Sequence, residues 1–137
     1  ATLSSKGMAM KRMMVMALAA CCSMAALADP IKGTGRAICT TEELRDCVAG
    51  TECLNGLPAE YGVPVSMRID FANRQVLGEQ RSSKIRDIEK KDGQILLQGR
   101  EMGYGWTIAI ETATGAMTLS LVNREGAFVL FGRCVRL

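Results

Sequence analysis

Residues 93–135 carry four short apolar runs separated by turn formers about every 10 residues, and two of the runs alternate apolar and polar side chains with a period of two, the pattern of an antiparallel meander. The apolar runs begin with Ile95-Leu96-Leu97 and continue at residues 106–110, 117–121 and 128–135. Between them lie the glycine-broken stretch 99–105, the turn Ala113-Thr114-Gly115 and the turn Asn123-Arg124-Glu125-Gly126. Trp106, Ile108 and Ile110 fall on one face with Thr107 and Ala109 on the other, and Met117, Leu119 and Leu121 oppose Thr118 and Ser120. Successive strand side chains point to opposite faces, so these stripes are read as one core. Trp106 begins such a stripe, which favours a buried indole over an exposed one.

Upstream the pattern is weaker. Residues 36–41 read as a first strand carrying Cys39. Thr41-Glu42-Glu43-Leu44 carries a helix-capping signal, but Cys47 and the Ala49-Gly50 turn follow too soon for a helix, so a short strand or turn is expected. Residues 54–62 read as an irregular connection. Val63, Val65, Met67 and Ile69 then alternate with polar residues as a strand whose Pro64 places it at an edge or a start. A turn at residues 71–74 leads to a weak strand at residues 75–77. In residues 82–90 the only apolar side chains, Ile85 and Ile88, are three apart, which requires a bulge or a short helical piece. Lys91-Asp92-Gly93 is a hairpin turn.

The fold expected is all-β: a small antiparallel up-and-down barrel, or barrel-like sandwich, of about seven to nine short strands, stabilised by disulfides. The Leu, Ile and Met content of the strands predicts a barrel filled by its own side chains, one of the two states open to small barrels; the other holds one small ligand.

Residues 1–9 carry no pattern and are read as a non-native or upstream extension. From Met10 the order is a basic pair, Lys11-Arg12, an apolar run over residues 13–27, and the small-residue site Ala26-Leu27-Ala28. That is the layout of a secretory signal peptide over residues 10–28, cleaved after Ala28. Leu18-Ala19-Ala20-Cys21 competes as a lipobox, which would tether the protein to a membrane through Cys21. The continuation of the apolar run past Cys21 favours the soluble, periplasmic or secreted form. A flexible lead-in over residues 29–36 and a single all-β domain over residues 37–137 complete the expected organisation.

Removing residues 1–28 from 137 leaves 109, one domain's worth. Lys6, Lys11 and Arg12 leave with the leader, so 14 of the 17 basic residues remain against 14 acidic ones. A neutral domain has no electrostatic attraction for nucleic acid or an anionic membrane. Of the 6 cysteines, Cys39, Cys47, Cys53 and Cys134 remain, an even set that reads as a disulfide framework with three possible pairings. Cys47 and Cys53 flank a short loop that Gly50 lets fold back, whereas Cys39 and Cys134 sit on the first and last strands, neighbours in a closed barrel. The expected pairs are therefore Cys39–Cys134 and Cys47–Cys53; the rival, Cys39–Cys47 with Cys53–Cys134, leaves the first strand untied.

The chain contains no histidine, which removes Ser-His-Asp and Cys-His catalysis and His-ligated zinc. No phosphate-binding glycine loop is present. The spacing from Cys47 to Cys53 is wrong for a zinc knuckle, and there is no C-x-x-C redox pair. Glu42-Glu43, and Asp87 with Glu89, read as solvated charged faces rather than catalytic pairs. No catalytic residue, cofactor or metal site is expected. The candidate functional stretch is residues 101–106, where large aromatics sit among glycines; Glu101, Met102 and Tyr104 are read as a partner-binding loop.

A leader, a small all-β domain, an early cysteine (Cys39) and a late one (Cys134) together resemble in layout the bacterial inhibitors of c-type lysozyme, periplasmic or lipid-anchored barrels of eight strands. That family's inhibitory loops carry a Ser-Gly…Tyr stretch and a Trp followed by Lys-Gly. Here Gly103-Tyr104-Gly105-Trp106 leads into Thr107-Ile108, so no inhibitory residue is carried over. The early cysteine cluster and the terminal Gly132-Arg133-Cys134 are also similar to an uncharacterised exported proteobacterial small β-domain family. The chain is read as an exported, non-enzymatic envelope protein acting as a binding or inhibitory module for an unidentified partner, a protein being the kind expected. The alternative is a carrier of a small apolar ligand inside the barrel. Oligomeric state is not legible.

Overall fold

The computed structural model describes residues 29–137, and the leader pattern of residues 10–28 with its lipobox lies outside them. Nine strands form one antiparallel sheet. They are β1 (Arg36–Cys47), β2 (Leu54–Gly56), β3 (Ser66–Asp70), β4 (Gln75–Leu77), β5 (Ser82–Lys91), β6 (Gln94–Glu101), β7 (Tyr104–Glu111), β8 (Ala116–Asn123) and β9 (Gly126–Arg136). Each strand from β3 to β9 pairs with the next, and β1 closes the circle by pairing with β3 on one side and β9 on the other. The result is an up-and-down barrel of eight strands, with β2 added outside it along the far half of β1.

The alternation read from residues 106–121 is the inside–outside alternation of this barrel. Trp106, Ile108, Ile110, Met117 and Leu119 are all buried, with Leu121 half-buried against them. Two hairpins are two-residue turns: Asp92-Gly93 has φ of 53° and 76°, and Met102-Gly103 has 48° and 83°. Both turn residues being left-handed matches the twist of the flanking strands. The glycines at 99 and 105, read above as part of a broken stretch, lie within β6 and β7, which stay paired up to Glu101 opposite Tyr104.

Two bulges correct the inward face where strict alternation fails. In β5 the register shifts between Ile85 and Asp87, turning both Ile85 and Ile88 toward the core. In β1 it shifts between Thr41 and Glu43, so the inward set Ala37, Cys39 and Thr41 continues at Leu44, which is fully buried. The capping signal at Thr41-Glu42-Glu43 is thus overridden: β1 runs unbroken from Arg36 to Cys47 because β9 pairs with it on both sides of the bulge. Gly132 lies opposite Thr41 at this place, and a Cβ there would overlap the Thr40 carbonyl.

Other elements also differ in extent from the reading. The irregular stretch 54–62 contains β2 and a 3-10 turn, η1 (Pro58–Tyr61). The alternation from Val63 becomes strand only at Ser66, and the segment before it is tied to β1 through the Val65 and Pro64 carbonyls, which accept from the Thr41 N–H and hydroxyl. The lead-in is anchored: Ile31 is 3% exposed, its N–H donates to the Thr112 carbonyl, and Gly33 lies against Ile95. Ile31 thereby plugs the end of the barrel where β7 meets β8.

Both expected disulfides are present. Cys39–Cys134 joins directly opposed residues of β1 and β9 across the closing seam, and Cys47–Cys53 ties the end of β1 to the start of β2. Such bonds persist in an oxidising, non-cytoplasmic compartment. Among the described residues no helix is long and apolar enough to cross a membrane.

Asp70 holds the turn after β3. Its carboxylate accepts from the Asn73 backbone N–H at 3.0 Å and from the Asn73 amide at 2.8 Å, with Arg36 at 3.4 Å. The Asn73 backbone bond, then its side-chain bond, then the Arg36 charge hold the carboxyl below its ordinary pKa of 3.8. A depressed folded pKa makes the stabilisation complete above the unfolded pKa and removes it as pH falls through the folded one. Asp70→Asn should therefore be less stable than wild type at neutral pH, with the gap closing in strong acid. Denaturant titrations across that range check this; a gap that does not change with pH would overturn it.

Candidate functional site

The barrel is filled at the Ile31 end but not at the other. Ile85, Ile95, Leu97, Ile108, Ile110 and Leu130 are each at most 1% exposed and pack its middle and closed end. Toward the opposite end an open cavity of about 560 Å³ enters the lumen, with Ile108, Leu119 and Met67 beneath it and Leu121 and Phe128 in its wall. The expectation of a side-chain-filled barrel holds for its middle and closed end, and the open space is confined to the mouth. Its volume lies within the range of about 300–1,000 Å³ typical of small-molecule sites.

The space exists because inward positions near the mouth carry small side chains. One inward step toward the mouth from Ile85 on β5 is Ser83, and from Leu97 on β6 it is Gly99. Trp106, opposite Gly99 on β7, lays its indole over that glycine and donates Nε1–H to Ser83 Oγ at 2.8 Å. Ser83 Oγ in turn donates to the Arg100 carbonyl at 3.2 Å. The ring thus lies along the wall from β7 across β6 to β5 and leaves the mouth open.

Gly99→Ala tests this account. A methyl there would overlap the indole and approach the Lys84 carbonyl oxygen at 2.7 Å. The indole would be driven into the lumen, at a cost of about 1–3 kcal/mol for overpacking. The expected readout is a shifted emission of Trp106, the only tryptophan in the chain, together with lower stability. Wild-type emission and stability in this variant would show that the glycine is not what holds the mouth open.

All three residues of the candidate loop line the cavity: Glu101, Met102 and Tyr104. They come from a tight hairpin at the rim rather than from a loop. Glu101 follows Gly99 on the inward-facing side of β6, and Tyr104 precedes Trp106 on that of β7. Met102, at the turn itself, is 67% exposed.

Sequence reasoning missed Tyr61, Phe128 and Ser83. Tyr61, carried over the mouth by η1, meets Phe128 edge to face at 5.6 Å, and Tyr104 approaches the same ring at 6.3 Å. The residues between β4 and β5 contribute Glu79 and Arg81 to the rim. Among the described residues no cluster of His, Cys, Asp and Glu could hold a metal ion. The charged pairs of the sequence reading lie elsewhere: Glu42, Glu43, Asp87 and Glu89 are exposed, and Glu43 engages Arg45 on the outer face. Comparison with family models, curated proteins and solved structures finds no match for this chain, so its site is read from geometry alone.

Proposed function

We propose that this protein is an exported, non-enzymatic binding module of the bacterial envelope that carries a small apolar ligand in the open end of its barrel. The observation that carries this reading is the apolar cavity of about 560 Å³, open at one end and backed by a packed core. A concave, largely apolar site with a few polar groups at its edge is the usual form of a small-molecule site. Export is supported by the leader pattern of residues 10–28 and by the two disulfides.

Native mass spectrometry of the protein isolated from its own host tests the carrier reading. The expected result is a protein mass increased by a small molecule that is released on denaturation; repeated isolation of the bare chain would count against it. A second reading, a protein partner docking at the rim, is favoured by the exposure of Met102 at the hairpin tip and of Val65 beside the mouth. In that case Met102→Ala should weaken capture of a protein from envelope extract, and no small molecule should co-purify.

A further inference from the structure

The aromatic residues are few and unevenly placed. Of the 1 Trp, 2 Tyr and 3 Phe in the chain, Trp106, Tyr61, Tyr104 and Phe128 all line this cavity. Phe71 is buried in the core and Phe131 is exposed on the outer surface. The Tyr61–Phe128 and Tyr104–Phe128 contacts make a continuous aromatic wall from η1 across β9 to β7. The face of an aromatic ring carries partial negative charge and attracts a cation lying within about 6 Å of its centre.

The charged groups at the mouth point the same way. Those lining the cavity are Glu79, Glu101 and Arg81, two carboxylates against one guanidinium. Arg81 and Glu79 are exposed on the connection between β4 and β5, where solvent and salt screen them. Glu101 is half-buried on the inward side of β6, next to Tyr104, and forms no ion pair among the described residues. A ligand carboxylate entering here would meet net negative charge beside an aromatic wall. An ammonium group would be attracted by both.

We infer that the cavity selects ligands with an apolar body and an alkylammonium head, the head held at the mouth between Glu101 and the aromatic wall and the body resting on Val65, Val76 and Leu121. This assignment rests on the reading of the cavity as a ligand site. Aromatic faces and a carboxylate together recognise quaternary ammonium groups because such a cation is large, weakly hydrated and cheap to remove from water. The other polar group deep in the cavity, Ser83 Oγ, is already engaged by Trp106 and the Arg100 carbonyl, so it does not compete for the head.

Trp106 emission gives a direct readout. Titrating the protein with octyltrimethylammonium, octanol and octanoate compares three heads on one apolar chain. The ammonium probe should bind roughly tenfold more tightly than octanol, the size of one desolvated cation–π and carboxylate contact, and octanoate should bind most weakly. In Glu101→Gln, which keeps the side-chain shape and removes the charge, the ratio of ammonium to alcohol affinity should fall severalfold. If none of the three probes changes Trp106 emission, the cavity is not an apolar ligand site and the carrier reading itself falls. If octanol binds but the ammonium probe binds no tighter, or octanoate binds tightest, the carrier reading stands and the ammonium assignment is overturned. An unchanged ratio in Glu101→Gln would likewise remove Glu101 from the head-group site.

Discussion

Replacing Cys39 and Cys134 together by alanine should lower the unfolding free energy by about 4–5 kcal/mol, the chain-entropy value for a loop of this length. The bond spans 95 residues of sequence and joins the first and last barrel strands at directly opposed positions. Its loss frees nearly the whole domain in the unfolded state while removing little from the folded one. The native seam keeps its backbone pairing on both sides of the bulge and the buried Leu44 and Leu130 beside it. For a domain of this size the change corresponds to a melting temperature lower by roughly 20 °C. Since small domains have about 5–15 kcal/mol in total, the variant should stand close to the limit of folding. The corresponding change at Cys47 and Cys53, which closes a loop of separation 6, should cost only about 2 kcal/mol by the same relation. Paired denaturant titrations of the two double variants provide the measurement. Equal losses would reject the dependence on loop length, and a loss below about 1 kcal/mol at the seam would mean that backbone pairing alone holds the barrel closed.

Trp106→Ala should cost about 3–5 kcal/mol, the range for removing a large aromatic from a packed core. The indole is 5% exposed, covers Gly99 and satisfies Ser83 through Nε1. The lower part of the range is expected because the vacated space opens onto the existing cavity, where water can enter, instead of becoming a sealed void. Ser83 then finds water in place of the indole and is not left unpaired. Thermal and denaturant unfolding measure the effect. A variant that melts like wild type would mean that Trp106 contributes to a ligand surface but not to the core.

Much of the barrel was legible because its signals are local. The alternation around Trp106 and Met117 states which side chains face inward, and Asp92-Gly93 states where the chain reverses, whatever else the molecule does. The cysteine pairs were legible for a related reason. A six-residue separation limits what Cys47 can reach, and a closed sheet must bring its first and last strands together. Ile85 and Ile88, three apart, announced a departure from alternation, and β5 resolves it as a bulge.

Elsewhere contacts across the barrel decide what the local sequence leaves open. Thr41-Glu42-Glu43 has the chemistry of a helix start, yet β9 extends it as strand and a bulge re-aims Leu44 inward. Ile31 sits in a segment with no pattern of its own and is ordered by the end of the barrel it covers. The cavity is the furthest from being legible. Gly99 reads along the chain as an interruption, and its inward position becomes meaningful only when Trp106 of the next strand folds over it toward Ser83 of the strand before. Tyr61, Tyr104 and Phe128 converge because η1, β7 and β9 meet at one end. Periodicity in a sequence records which side of a sheet a residue faces. The shape and charge of a lumen depend on which distant residues share a level around the closed barrel, and that is set by strand register.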